Sequence, residues 1–230
     1  MKAAAIPVLI LLFFMAHGTG HSLDANAYRS AFALNCLEAE AYVEDIKPLL
    51  FAALNDDFLT NIGIAVVFPE LTRYSYIRDV AETTALELSY ILGGDVDFSI
   101  GKMQMKPSFA RQIEADAGEL CRNRYPELFK NGKDEQAGRG LRILRLKNTV
   151  RQVEYLAVFL HIMTNKYPHL TAEPEKMIRI FSSAYNAGYT KSYKDLESNS
   201  YTYYFPYGKQ GTGEQYSYSE IALDYYNRHQ

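Results

Sequence analysis

The sequence predicts an all-α fold in a single domain. Apolar residues recur at every third or fourth position along most of the chain, which is the period of an amphipathic helix. Capping residues, prolines and glycines stand at the ends of these periodic segments. No alternating strand of convincing length and no internal repeat occurs, so a sheet-based fold is not expected.

The first twenty residues are typical of a secretory signal peptide. Lys2 precedes an apolar run that ends at Met15, and the small residues Ala16, Gly18 and Gly20 follow. The run is too short to span a bilayer, and it has no polar face, which disfavours a buried helix. We therefore predict an exported protein, periplasmic or secreted, with residues 21–230 as one helical domain. No stable membrane insertion is expected after removal of the signal.

The remaining chain divides into segments with helical periodicity. Each is bounded by recognisable signals, such as the Asn55–Asp57 cluster before one helix and Gly93-Gly94 after another. The predicted helices cover 26–46, the apolar run through Val67, 76–92, 107–118, 140–165 and 174–187. The stretch 130–139 is predicted to be an exposed loop.

The helix predicted over 140–165 carries an apolar face and a basic face. The apolar side chains expected in the core are Leu141, Leu144, Val150, Val153, Leu156, Val158 and Leu160. The basic residues Arg139, Arg142, Arg145 and Arg151 follow one helical face. We interpret that face as solvated rather than as an anion site.

Composition excludes some function classes. The formal net charge is −3 and the sequence pI is about 6.0, whereas nucleic-acid binders usually carry a basic excess. Nucleic acid is therefore not expected as a partner. The two cysteines, Cys36 and Cys121, lie in apolar helical contexts. Two alternatives remain open for them, a disulfide between the two or two buried free thiols.

Motifs for common catalytic chemistries are absent from the sequence. It has no G-x-S-x-G, no H-E-x-x-H and no Walker loop, and its five histidines are scattered. Asp95 and Asp97 lack the other ligands of a calcium loop, so we expect a polar turn there, and no metal or cofactor. The side chains left as candidates for catalysis are carboxylates. The chain has nineteen tyrosines and no tryptophan. Tyrosine side chains are the candidates for ligand binding, since their rings both stack on sugars and hydrogen-bond them.

Two further segments carry a resemblance to a known family. The segment SIGKMQMKPSFA contains Gly101, Met103, Gln104 and Pro107, and SSAYNAGY spans 182–189. In this order the two segments resemble the soluble lytic transglycosylases, relatives of goose-type lysozyme, over about residues 60–226. The resemblance implies a lysozyme-like helical domain with a glycan-binding groove. It also implies a reaction, the cleavage of the MurNAc-GlcNAc β-1,4 bond of peptidoglycan glycan strands with formation of 1,6-anhydro-MurNAc ends.

The resemblance also implies which residues bind the glycan. In the first segment we expect Gly101 to let the backbone approach a sugar, Met103 to give soft apolar contact and Gln104 to hydrogen-bond. A methionine-rich core turn is the structural alternative for this segment. In the second segment we expect Tyr185 and Asn186 to position the muramyl ring.

The family uses one acid placed ahead of the glycine-methionine-glutamine turn. Glu70 follows an apolar run that is expected to end near Phe68, because Pro69 disfavours helical geometry in the residue before it. A carboxyl at that position is partly desolvated, so its pKa rises and it can act first as acid and then as base. Glu87 and Glu82 remain rivals for this role.

One departure from the family pattern and one tyrosine position that the spacing does not settle leave alternatives open. The family commonly has serine after the acid where this chain has Leu71, with Ser75 the nearest hydroxyl. The family's tyrosine that faces the acid corresponds first to Tyr225 and second to Tyr226. The alternatives are a hydrolytic lysozyme, with Asp97 or Asp79 positioning water, and a catalytically silent protein that binds peptidoglycan.

Overall fold

The computed structural model describes residues 20–76, 80–94, 96–210 and 213–230. The expected all-α class is confirmed for this part of the chain, which holds eleven α-helices, two short 3₁₀ helices and one two-stranded sheet. The predicted signal peptide lies outside the described residues except for its last residue, and Asp79 and Asp95 also lie outside them.

The helices follow one another along the chain with short connections. The α-helices are α1 Gly20–Ala31, α2 Ala33–Leu54, α3 Asp57–Tyr76, α4 Val80–Ile91, α5 Pro107–Asp116, α6 Glu119–Arg124, α7 Glu135–Lys147, α8 Thr149–Lys166, α9 Pro174–Ala187, α10 Tyr193–Ser200 and α11 Tyr218–Arg228. The 3₁₀ helices span Pro126–Phe129 and Pro168–Ala172. The strands β1 Tyr203–Phe205 and β2 Tyr216–Ser217 pair antiparallel.

Helix α3 forms the centre of the molecule. It packs against α2, α8, α9 and α11, and its residues from Ile62 to Leu71 are buried on every side. The expectation that this helix ends near Phe68 is wrong, because α3 continues through Pro69 to Tyr76. Burial between four neighbouring helices outweighs the one backbone hydrogen bond that a proline removes from a helix.

Two of the predicted helices are interrupted. The segment 26–46 is divided at Phe32, and the segment 140–165 is divided at Asn148. Asn148 adopts an extended conformation, and its side chain accepts a hydrogen bond from the Arg151 amide, which caps α8. The break changes the direction of the helical faces, so Leu144 and Val150 are exposed rather than buried.

The basic face predicted as solvated is partly buried. Arg142 pairs with Glu114 at 2.5 Å and donates to the Tyr90 hydroxyl at 2.9 Å. Arg145, only 9% exposed, also pairs with Glu114, and the Tyr155 hydroxyl donates to the same carboxylate. The interpretation is therefore wrong for Arg142 and Arg145, because charges this deeply buried require paired partners from other helices.

The structure also bears on the predictions for the two cysteines, the loop over 130–139 and membrane-spanning helices. Cys36 and Cys121 are buried free thiols in α2 and α6. The exposed loop predicted over 130–139 is shorter than expected, since α7 begins at Glu135 with Asp134 as its cap. None of the helices described here is long and apolar enough to cross a membrane.

Candidate functional site

The segment around Gly101 forms a tight turn rather than the start of a helix. Ile100 and Met105 exchange two backbone hydrogen bonds of 3.0 and 3.1 Å, and the Gln104 amide donates to the Gly101 carbonyl at 3.0 Å. Gly101 and Gln104 both have positive φ, 70° and 48°. Glycine suits the first of these positions because it has no Cβ to clash in the left-handed region.

Gln152 of α8 holds this turn in place. Its side-chain amide donates to the Ile100 carbonyl at 2.6 Å, and its oxygen accepts from the Met103 amide at 3.3 Å. A Cβ on Gly101 would overlap the Gln152 amide. Gly101 is therefore required for two reasons, its left-handed backbone and this close approach.

The second segment lies at the end of α9. Tyr185 is buried, and its hydroxyl donates to the Met103 carbonyl at 2.8 Å, which joins the two sequence segments. Asn186 follows and is exposed, and Gly188, where φ is 97°, caps the end of α9. The turn and the helix end thus form two sides of one concave surface.

A groove of about 450 Å³ lies between these elements, and we call it the groove throughout. The structure brings four of the predicted site residues to it, namely Glu70, Gln104, Tyr185 and Asn186. Its other charged lining residues are Arg73, Asp97, Lys106 and Arg111, three of them basic. Most of the residues that line the groove are polar, and such side chains can hydrogen-bond a ligand with many hydroxyl and amide groups.

The Glu70 carboxyl is almost fully buried at the groove wall. Glu70 is 5% exposed, and its Oε2 atom has no hydrogen-bond partner among the described residues. Arg73, one helical turn on, lies 3.6 Å from that oxygen. Burial raises the pKa of Glu70 from 4.5 to about 7, although Arg73 and, more weakly, Lys106 act to lower it. Glu70 can therefore hold a proton near neutral pH.

Neither Met103 nor Gly101 is among the described residues that line the groove. Met103 is completely buried, so its side chain belongs to the core; Met105 is also buried in the core and borders the groove. The predicted ligand contact through Met103 is not seen, because the tight turn directs this side chain inward. The methionine-rich core turn describes this residue correctly.

Tyr225 does not reach the groove either. Its ring stacks on Phe68 with a centroid distance of 4.1 Å and on His229 at the same distance. Tyr226 is also buried in α11, and neither tyrosine is among the described residues that line the groove. The Tyr225 ring is thus held between Phe68 and His229, and its role as the tyrosine facing the acid is not supported.

Tyr218, at the start of α11, contacts α3 close to Glu70. Its hydroxyl donates to the Val66 carbonyl at 3.0 Å, about one helical turn before Glu70 in α3. Burial first, and the charge of Glu70 second, raise the pKa of Tyr218 far above its usual value. Nothing in the spacing of the many C-terminal tyrosines distinguishes this one.

The other candidates for the catalytic acid were Glu87 and Glu82, and the surroundings of Glu87 differ from those of Glu70. The Glu87 carboxylate forms an ion pair with Lys147 at 3.0 Å and is not among the described groove residues. The side chains of Glu82 and Ser75 lie outside the described part of the structure, as does Asp79. Leu71, where the family commonly has serine, is completely buried in the core.

Two supporting residues were missed by the sequence analysis. Arg73 could have been found, since it stands three residues after Glu70 on the same helix. Gln152 could not, because its contact with the turn joins segments that are far apart in the sequence. No group of three or more His, Cys, Asp or Glu side chains in the described ranges could hold a metal ion.

Comparisons with models of protein families, with curated proteins and with solved structures found no match to this chain.

Proposed function

We propose that this protein is a lytic transglycosylase that cleaves the MurNAc-GlcNAc β-1,4 bond of peptidoglycan, with Glu70 as its single acid and base. The observation that carries the proposal is the buried Glu70 carboxyl at the wall of an open polar groove, with its pKa raised to about 7. The resemblance of the two segments that form this groove gives the substrate class.

The proposed reaction has two proton transfers through the same carboxyl. Protonated Glu70 donates to the glycosidic oxygen, the C1–O bond breaks, and the leaving sugar departs with that proton. Glu70 then accepts the proton of the C6 hydroxyl as this oxygen bonds to C1, which closes the 1,6-anhydro ring. The hydroxyl of the substrate replaces water as nucleophile, so no second protein carboxylate is needed.

Three residues near Glu70 have further roles in the proposed reaction. Asn186 is exposed in the groove and offers a donor and an acceptor to the N-acetyl group of the muramyl residue. The Tyr185 hydroxyl is engaged by the Met103 carbonyl, so Tyr185 acts by fixing the turn that carries Gln104. Arg73 limits the rise in the pKa of Glu70 and stabilises its carboxylate between the two transfers.

A hydrolytic lysozyme is the second candidate, because a second carboxylate also lines the groove. Asp97 accepts hydrogen bonds from the Ser108 amide at 3.1 Å and from its hydroxyl at 2.8 Å. These contacts place Asp97 as a cap of α5, which favours a structural role. In a hydrolase, Asp97 would position water, and the cut strand would carry a reducing end.

Product analysis on purified sacculi tests the proposal. The wild-type protein is expected to release muropeptides with 1,6-anhydro ends. Glu70→Gln is expected to lose activity by at least about 10²-fold, because an amide cannot transfer the proton. Glu87→Gln is the matched control and should keep wild-type rates, since Glu87 pairs with Lys147 away from the groove.

Each other result identifies a different function. Reducing ends as the main product would establish the hydrolase instead. Full activity in Glu70→Gln with loss in Glu87→Gln would show that the rival glutamate is the acid. Wild-type protein that binds sacculi without cutting them would indicate the catalytically silent binding protein.

A further inference from the structure

A second cavity of about 250 Å³ adjoins the groove, and we call it the second cavity. Asn186 and Ala187 line both depressions, so the end of α9 forms a wall that they share. A ligand that lies in the groove against Asn186 therefore has the second cavity within reach of its substituents. The wall of the second cavity also includes the polar side chains of Asn199, Thr202 and Tyr204.

The second cavity is positively charged. Lys191 and Lys209 line it, and no carboxylate is among its described lining residues. Neither lysine forms an ion pair with any residue that the structure describes. Two ammonium groups beside one small polar cavity favour an anionic ligand group.

Both lysines belong to segments that are held in position. The Lys166 ammonium donates to the carbonyl oxygens of Tyr189 at 3.0 Å and of Lys191 at 3.4 Å, which ties the segment after α9 to α8. The Lys209 ammonium lies 5.3 Å from the ring centroid of Tyr204. This cation–π contact holds the ammonium beside another residue of the cavity wall.

We propose that the second cavity binds a carboxylate of the peptide that is attached to the glycan strand. This inference rests on the proposed function, because it assigns the occupant of the groove as peptidoglycan. In peptidoglycan each muramyl residue bears a lactyl group, and the attached peptide carries free carboxylates. A muramyl residue positioned by Asn186 would direct this acidic substituent across the shared wall toward Lys191 and Lys209.

Binding measurements with three soluble glycans test the inference. They are a peptide-bearing muramyl oligomer, the same oligomer after amidase removal of its peptides, and neutral chitotetraose. Glu70→Gln serves as the host protein, so that the ligands are not cut. Lys191→Gln and Lys209→Gln are introduced together, and Lys194→Gln, an exposed lysine of α10 outside the second cavity, is the matched control.

We expect the double variant to bind the peptide-bearing oligomer about tenfold more weakly than the host, which corresponds to the loss of charge-assisted hydrogen bonds. The effect should shrink at high salt. Binding of chitotetraose and of the peptide-free oligomer should change little, and Lys194→Gln should match the host. Thermal unfolding of each variant verifies that the fold is retained.

Three results would overturn the inference. Equal binding of the peptide-bearing oligomer by the double variant and by Lys194→Gln would show that the second cavity does not contact the peptide. An equal loss for the peptide-free oligomer would assign the lysines to the lactyl carboxylate instead. Failure of the host and of the wild-type protein to bind any of the three glycans would remove the proposed function together with this inference.

Discussion

The buried Glu70 carboxyl makes the stability of this protein depend on pH in an unusual direction. Most carboxyls in folded proteins have lowered pKa values, whereas burial raises that of Glu70 from 4.5 to about 7. Between these two values the folded state binds more protons than the unfolded state. The contribution of Glu70 to stability is therefore complete below about pH 4.5 and is lost as pH rises through about 7.

The variant Glu70→Gln removes this titration and keeps the size of the side chain. At about 1.4 kcal/mol per pKa unit, the shift corresponds to about 3 kcal/mol. We therefore expect the free energy of unfolding of Glu70→Gln, relative to wild type, to increase by about 3 kcal/mol between pH 4 and pH 8. The attraction of Arg73 for the Glu70 carboxylate is already contained in the pKa of about 7, so the loss of this ion pair adds no separate dependence on pH.

Urea denaturation of both proteins at several pH values between 4 and 9 measures this difference. Effects of all other titrating groups cancel in the comparison if the two slopes with urea agree. Glu44→Gln is the control, because this carboxyl is exposed on α2 and lacks the burial that acts on Glu70. A difference for Glu70→Gln that varies with pH no more than the difference for Glu44→Gln would refute the argument that the Glu70 carboxyl is desolvated.

Further predictions concern activity and local structure. The rate of glycan cleavage should fall on the alkaline side through about pH 7, because deprotonated Glu70 cannot act as acid; initial rates from pH 5 to 9 measure it. Asn186→Ala should lower kcat more than it raises KM, since orientation of the C6 hydroxyl matters most in the transition state; an unchanged kcat would contradict this. Gly101→Ala should lower the free energy of unfolding by about 1–3 kcal/mol through its left-handed backbone and its contact with Gln152. Gly140→Ala, in the open interior of α7, should instead raise it by about 0.5–1 kcal/mol, and urea denaturation compares the two.

Local sequence signals located most helices but not all of their ends. Gly93 ends its segment with a positive φ of 96°, and Pro107 and Pro174 open α5 and α9 as expected. Pro69 predicts a helix end that does not occur, because a proline signal is local, while the burial that keeps α3 intact comes from neighbouring helices. Asn148 is a good cap within an otherwise continuous helical pattern, so its effect was easily missed.

The sequence by itself determined the helical class and the residue types of the candidate site. Periodicity and helix caps are local properties that predict the helices, and the resemblance of two short segments to a known family implied Glu70, Gln104, Tyr185 and Asn186 before any contact between them was known. Tertiary structure alone decided that these four share a groove, that Met103 and Tyr225 face the core, and that Tyr218 approaches Glu70. The physical reason is that the pKa of Glu70 and the shape of the groove depend on desolvation by segments distant in the sequence, and desolvation exists only once those segments pack.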